Sequence, residues 1–140
     1  MRVSELSKSL RITPDTVRYY TRIALLSPKK GSINGYKYYT ESDQQRLRFI
    51  LSARQLGFSI KEIKQILTEA DKGHTACPLV RELLQKRLEA TEHEFQEALA
   101  LRNRMQQAMQ DWQDKPDKAP TGHMICHLIE EFSEQPAKES

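Results

Sequence analysis

Apolar residues recur at helical spacing along most of this chain, and clear start and stop signals separate the periodic stretches. Leu6 and Leu10 predict a short first helix capped by Ser4. Arg11-Ile12 then makes a tight turn. Thr13-Pro14-Asp15-Thr16 is a strong helix start, with Thr13 as N-cap, Pro14 in the first helical position and Asp15 at the positive end of the helix. The second helix carries Val17-Arg18-Tyr19-Tyr20. Two short helices joined by a turn of about three to four residues make a helix-turn-helix, whose second helix would enter a DNA major groove.

The pattern changes between Ser27 and Thr40. Asn34-Gly35 is a type I′ hairpin signal, and Tyr36-Lys37-Tyr38-Tyr39 is aromatic and strand-like. With Lys29, Lys30 and Lys37 the hairpin is basic, which reads as a wing beside the helix-turn-helix. Thr40 with Asp43 resembles a capping box and opens a helix bearing Leu47, Ile50, Leu51 and Ala53, which Gly57 stops. Ser59 with Glu62 opens another, bearing Ile60, Ile63, Ile66 and Leu67, which Asp71-Lys72-Gly73 breaks.

A much longer helix follows. From Leu79 to Gln113 there is neither Gly nor Pro. Leu84, Leu88, Thr91, Phe95, Ala98, Arg102, Met105, Met109 and Trp112 alternate spacings of four and three, a coiled-coil seam with polar exceptions at Thr91 and Arg102. No second long helix exists in the chain to cover that seam, so it needs a partner chain. An antiparallel pair would bring each Cys77 near the partner's C-terminal loop; a parallel pair would not. Pro116, Pro120 and Gly122 mark a loop. Ile125, Leu128, Ile129 and Phe132 predict one face of a short last helix, before a tail from Glu134 to Ser140.

The net charge of +3 hides an asymmetry: residues 1–68 carry 13 basic and 5 acidic side chains, residues 69–140 carry 9 and 14. A basic first half points to a polyanion partner, and the expected one is nucleic acid. No apolar run reaches the length of a membrane span and the N-terminus lacks a signal-peptide core, so the expectation is a cytoplasmic protein without a membrane partner. The two cysteines, Cys77 and Cys126, lie far apart and read as free thiols or metal ligands.

Thr13-Pro14-Asp15-Thr16-Val17-Arg18-Tyr19-Tyr20, Asn34-Gly35-Tyr36-Lys37-Tyr38-Tyr39-Thr40 and Ala53-Arg54-Gln55-Leu56-Gly57-Phe58-Ser59 occur in this order. In these stretches the chain resembles the mercury-resistance-regulator (MerR) family of bacterial transcription regulators, and most of all its zinc and cadmium sensors. The resemblance implies a mainly α fold: an N-terminal winged helix-turn-helix DNA-binding domain (1–73), a long antiparallel coiled-coil dimerisation helix (74–113) and a short C-terminal metal-binding loop and helix (114–140). It implies a homodimer on double-stranded promoter DNA, alongside bacterial RNA polymerase, that distorts a long promoter spacer when the effector binds. DNA contacts would fall on Thr13, Thr16, Arg18, Tyr19 or Tyr20, Tyr36, Lys37 and Arg54. Tyr19 and Tyr20 cannot both face DNA, and Arg18 is the base-reading candidate, through its bidentate guanine geometry. The chain departs from the family at Lys37 (usually Arg), Ala24 (usually Gly), and Gly31 and Ile33 (often Arg and Glu).

Family members that sense divalent ions carry Cys where Cys77 stands, which implies a divalent metal cofactor: zinc or cadmium, with lead or mercury next. The usual cysteine at the end of the dimer helix is missing, since that helix ends Asp111-Trp112-Gln113-Asp114. The expected ligand set is Cys77 of one chain with His123 and Cys126 of the other. His74, His127, Asp114 or Asp117 would fill a fourth position. Two thiolates and an imidazole suit zinc better than mercury, which is content with thiolates alone. The alternatives are a thiol-based oxidant or electrophile sensor on the same fold, which would not need His123, and a Cys/His enzyme. Neither a nucleophile elbow nor a catalytic carboxylate pair supports an enzyme, and the 27 residues after Gln113 are too few for a drug-binding domain.

Overall fold

Three helix starts in the first half of the chain are fixed by a side chain that satisfies backbone N–H groups left over at the helix end. In the computed structural model, which describes residues 1–31 and 35–133, the order is α1 (Val3–Ser9), α2 (Pro14–Arg22), β1 (Lys29–Lys30), β2 (Lys37–Tyr38), α3 (Glu41–Gln55), α4 (Ile60–Asp71), α5 (Cys77–Trp112) and α6 (His127–Ser133). Thr13 Oγ1 accepts from the Thr16 N–H at 3.2 Å and starts α2. Thr40 and Asp43 form a reciprocal capping box on α3, and Ser59 and Glu62 do the same on α4. Gly57, at φ +88°, ends α3 in the left-handed region, which glycine adopts without steric cost.

The first helix differs from expectation. It begins at Val3, so Ser4 lies inside it and caps nothing. The cause is tertiary. The Met1 ammonium donates to Tyr39 O at 2.7 Å, and the Tyr39 N–H donates back to Met1 O at 2.6 Å. This pairing pins the chain just before the helix, and the Arg2 N–H is taken by Glu5.

The chain divides into two compact units, Met1–Arg87 and Leu88–Ser140. In the first, the apolar faces of α1 to α4 close over Leu6, Val17, Leu47, Ile50, Phe58 and Ile63, all essentially inaccessible to water. Burying each such side chain contributes on the order of 1.5–3 kcal/mol. Arg46 ties the helices together: its guanidinium makes two 3.0 Å bonds to Asp71 at the end of α4, and its Nε donates to Leu25 O at 2.9 Å. The first turns of α5 complete this core, where Leu79, Val80, Leu83 and Leu84 are half-buried. Leu84, expected at the head of the seam, also packs against this core. Arg87 closes the unit through an ion pair with Glu62.

In the second unit Ala108 is, among the described residues, the one buried residue that α5 contributes. Trp112, at the end of the expected seam, meets Phe132 of α6 edge-on, with ring centroids 6.3 Å apart. α6 starts after Ile125, which is left exposed together with Ile129, so the expected apolar face of this helix is split. The other seam residues Leu88, Phe95, Met105 and Met109 face solvent, Phe95 at 58% and Met109 at 63% exposure. Among the described residues no helix is long and apolar enough to cross a membrane.

Candidate nucleic-acid interface and metal-ligand residues

α2 buries Val17 and Tyr20 and presents Asp15, Arg18, Tyr19 and Arg22 outward. The two tyrosines separate cleanly. Tyr20 is 7% exposed and belongs to the core, which removes it from the expected DNA contacts; Tyr19 is 40% exposed and remains one. Arg22 sits over the Tyr19 ring at 5.7 Å, a cation–π contact that stiffens an exposed basic and aromatic surface. Arg22 was absent from the expected contacts, although its spacing of four from Arg18 places both on one helix face. At the start of the helix Thr13 and Thr16 share a 2.9 Å hydroxyl–hydroxyl bond, and Arg18 Nη1 donates to Asp15 Oδ1 at 2.8 Å.

The hairpin pairs β1 with β2 antiparallel, Lys29 opposite Tyr38 and Lys30 opposite Lys37. Lysines facing each other across two strands repel, and a phosphate between them would relieve that repulsion. Of the turn signal, Asn34 lies outside the described residues, as does Ile33; Gly35 has φ +69° and its N–H donates to Gly31 O at 3.3 Å. A Cβ on Gly31 would sit 3.0 Å from the Tyr38 ring, which would have to give by a few tenths of an ångström to admit a side chain. Tyr36 is exposed and lies under the Arg2 guanidinium at 4.5 Å. The Thr21 hydroxyl bonds the Tyr39 hydroxyl at 2.7 Å, so the recognition helix and the hairpin share one buried anchor. Arg54 is exposed, but its Nη1 donates to Phe58 O at 2.6 Å and braces the α3–α4 turn. A phosphate contact from Arg54 would use its remaining N–H groups.

Ala24 has φ +65°. A Cβ in the left-handed region costs roughly 1–2 kcal/mol, the physical reason why glycine suits this position after the recognition helix.

The expected metal ligands do not form one cluster within the chain: among the described residues, no three His, Cys, Asp or Glu side chains could hold an ion together. Cys77 is exposed in the first turn of α5, and Cys126 is half-buried just ahead of α6. His123 is exposed in the loop. None of these three side chains is hydrogen-bonded among the described residues, so all three are open to a ligand. The Glu130 carboxylate accepts the N–H groups of Ile125 and Cys126, at 3.2 and 2.9 Å, and fixes the backbone that carries the thiol.

His127 is a different case. It is 6% exposed, with Nε2 at 2.8 Å from Pro116 O and Nδ1 at 3.3 Å from Glu131 Oε1. Both ring nitrogens are engaged, so His127 latches the loop to α6 and is withdrawn from the ligand set. Lys115 binds the same Glu131 at 3.0 Å, and together Lys115 and His127 hold that carboxyl below the usual range. His74 pairs with Glu69 on the surface at 3.1 Å, whereas Asp114 and Asp117 are exposed in the loop.

The chain matches two family models: "MerR HTH family regulatory protein" over residues 1–70 and "MerR, DNA binding" over residues 44–108. It is 35% identical to the HTH-type transcriptional regulator ZntR of Escherichia coli over 130 residues, 92% of this chain and 89% of that one. It is 31% identical to a probable heavy metal-dependent transcriptional regulator of Haemophilus influenzae over 114 residues, 81% of this chain and 86% of that one. Its fold follows the transcription regulator PbrR691 of Ralstonia metallidurans, solved with lead(II), with a TM-score of 0.73, 26% identity, and coverage of 94% of this chain and 98% of that one. The recognition helix, the basic hairpin and the long helix are thus those of a known design, and the chain belongs to the MerR family of helix-turn-helix, DNA-binding transcription regulators.

Proposed function

We propose that this regulator works as an antiparallel homodimer on promoter DNA and activates transcription by distorting the promoter spacer when a divalent metal ion binds. The observation that carries the reading is the incompleteness of the second unit. A row of large apolar side chains on α5 (Leu88, Phe95, Met105, Met109) lies open to water, and patches of that kind mark an interface. A second copy placed antiparallel would cover the row and bring the start of one long helix to the loop of the other.

The donor set fits a soft or borderline divalent ion: Cys77 of one chain with His123 and Cys126 of its partner, two sulfurs and one imidazole nitrogen with no competing hydrogen bond. Asp114 or Asp117 is an oxygen donor for a fourth position, and His74, whose Nδ1 pairs with Glu69, has Nε2 available for the same role. The ion, when bound, would supply a tether between the two chains; the chain's own residues hold the thiol-bearing backbone and the DNA-reading surface on either side of it. The heavy-metal dependence named for the Haemophilus relative and the lead(II) held by PbrR691 support the same class of effector. Zinc and cadmium suit the mixed sulfur–nitrogen set best. Because the thiols must deprotonate, affinity should rise with pH.

A reporter driven by the regulated promoter, exposed to Zn²⁺, Cd²⁺, Pb²⁺, Hg²⁺ and Cu⁺, tests this directly. Induction by a divalent ion that disappears in both Cys77→Ser and Cys126→Ser is the expected result. A normal response from either variant would sink the site. His123→Ala separates a metal sensor, which should lose response, from a thiol-oxidation sensor, which should keep it.

A further inference from the structure

We propose that Asp15 is a specificity-determining positioning residue, which holds the Arg18 guanidinium toward base edges and away from phosphate. The inference rests on the DNA-binding role of α2.

Acidic residues are scarce in the basic half of the chain, and most of them have local work. Glu5 takes the Arg2 N–H, Asp43 sits in the Thr40 capping box, and Glu62 caps Ser59 and binds Arg87. Asp15 caps nothing, because Thr13 already takes the N–H at the start of α2. Its side chain is 92% exposed, on the same outward face as Arg18, Tyr19 and Arg22. A bare carboxylate there would repel the DNA backbone. Its one partner among the described residues is Arg18, at 2.8 Å.

The geometry of that contact matters. Asp15 engages Nη1 and leaves the Nε–Nη2 edge of the guanidinium open. That edge is still a two-pronged donor, the shape that matches guanine O6 and N7. In water an exposed pair of this kind is weak. Against DNA the surrounding water is expelled and the pair strengthens, so a guanidinium that leaves for phosphate must abandon a carboxylate lying among phosphates. Asp15 thus disfavours the sequence-blind contact more than the base contact. An acceptor at this position can also take the N4 amino group of a neighbouring cytosine.

The test is selection of bound sequences from a randomised DNA duplex pool with the full chain, its Asp15→Asn variant and its Arg18→Lys variant. The wild-type pool should converge on a G·C pair at one position of each half-site. In Asp15→Asn that preference should fall on the order of tenfold. Affinity for a single random-sequence duplex should rise severalfold, with a salt dependence steeper by about one per subunit. Arg18→Lys should lose the same base preference without the steeper salt dependence. A purely structural Asp15 would move the melting temperature and leave the consensus alone. An unchanged consensus and salt slope in Asp15→Asn would overturn the proposal while leaving DNA binding intact. A wild-type pool that never converges would overturn sequence-specific binding itself, and this assignment with it.

Discussion

The two units of this chain solve the same problem differently. In Met1–Arg87 four helices and the first turns of α5 bury one another's apolar faces, and caps and ion pairs account for the exposed ends. In Leu88–Ser140 a stretch of α5 carries apolar side chains that nothing among the described residues covers, and the short helix beside it is held by a few specific contacts, His127 to Pro116, Lys115 to Glu131 and Trp112 to Phe132. One unit is complete in a single copy. The other leaves a row of large apolar side chains open to water.

That contrast breaks most sharply at the core. Leu47→Ala, at a position with no accessible surface, should cost about 2–5 kcal/mol of stability, read from urea denaturation. Phe95→Asp should leave the fold of the first unit intact but weaken dimerisation by about 2–4 kcal/mol, through loss of a large apolar contact and burial of an unpaired charge. Sedimentation at micromolar concentration should then show monomer where wild-type shows dimer. A wild-type monomer under those conditions would remove the basis of the comparison.

Smaller effects sharpen it. Ala24→Gly should raise the stability of the first unit by about 1 kcal/mol, because it relieves a left-handed backbone conformation at φ +65°. Thermal melting checks the sign.

The smallest effect is that of acid. Hydrogen bonds from Arg46 hold the Asp71 carboxyl below its usual range despite some burial. Burial pushes Glu62 up, but the Ser59 N–H, the Arg87 guanidinium and the Ser59 hydroxyl together bring it below its ordinary value. A carboxyl lowered in the folded state contributes stability above its unfolded pKa and loses it as pH falls through the folded one. Stability should therefore decline from about pH 4 downward. Asp71→Asn should flatten part of that decline, and salt should shrink the difference, because the pair is partly exposed.

Much of the first unit could be read from the sequence because its signals are local. Thr13, the Thr40–Asp43 and Ser59–Glu62 pairs and Gly57 act within four residues of themselves, and each does what its spacing predicts. What was not legible depends on distant partners. Ser4 lost its capping role because Tyr39 pins Met1. Periodicity alone could not choose between Tyr19 and Tyr20, which only burial separates. Leu84 fits the seam spacing, yet its packing against the core of the first unit is visible only in three dimensions. His127 has the right chemistry for a ligand, but Pro116 and Glu131 occupy both of its nitrogens. The metal-ligand set is the least legible part, since among the described residues its expected members form no cluster within one chain.

The start of α5 has a practical consequence for protein engineering. Sensor ends are natural pieces to transplant between regulators, and the break after α4 at Gly73 looks like an obvious joint. A junction there would replace Leu79, Val80, Leu83 and Leu84 with foreign side chains and strip part of the native cover from the core. A junction after Arg87 would carry those leucines, the valine and the Glu62 clasp along with the DNA-reading half. Chimeras joined at the later point should express as folded regulators, and those joined at the earlier one should aggregate.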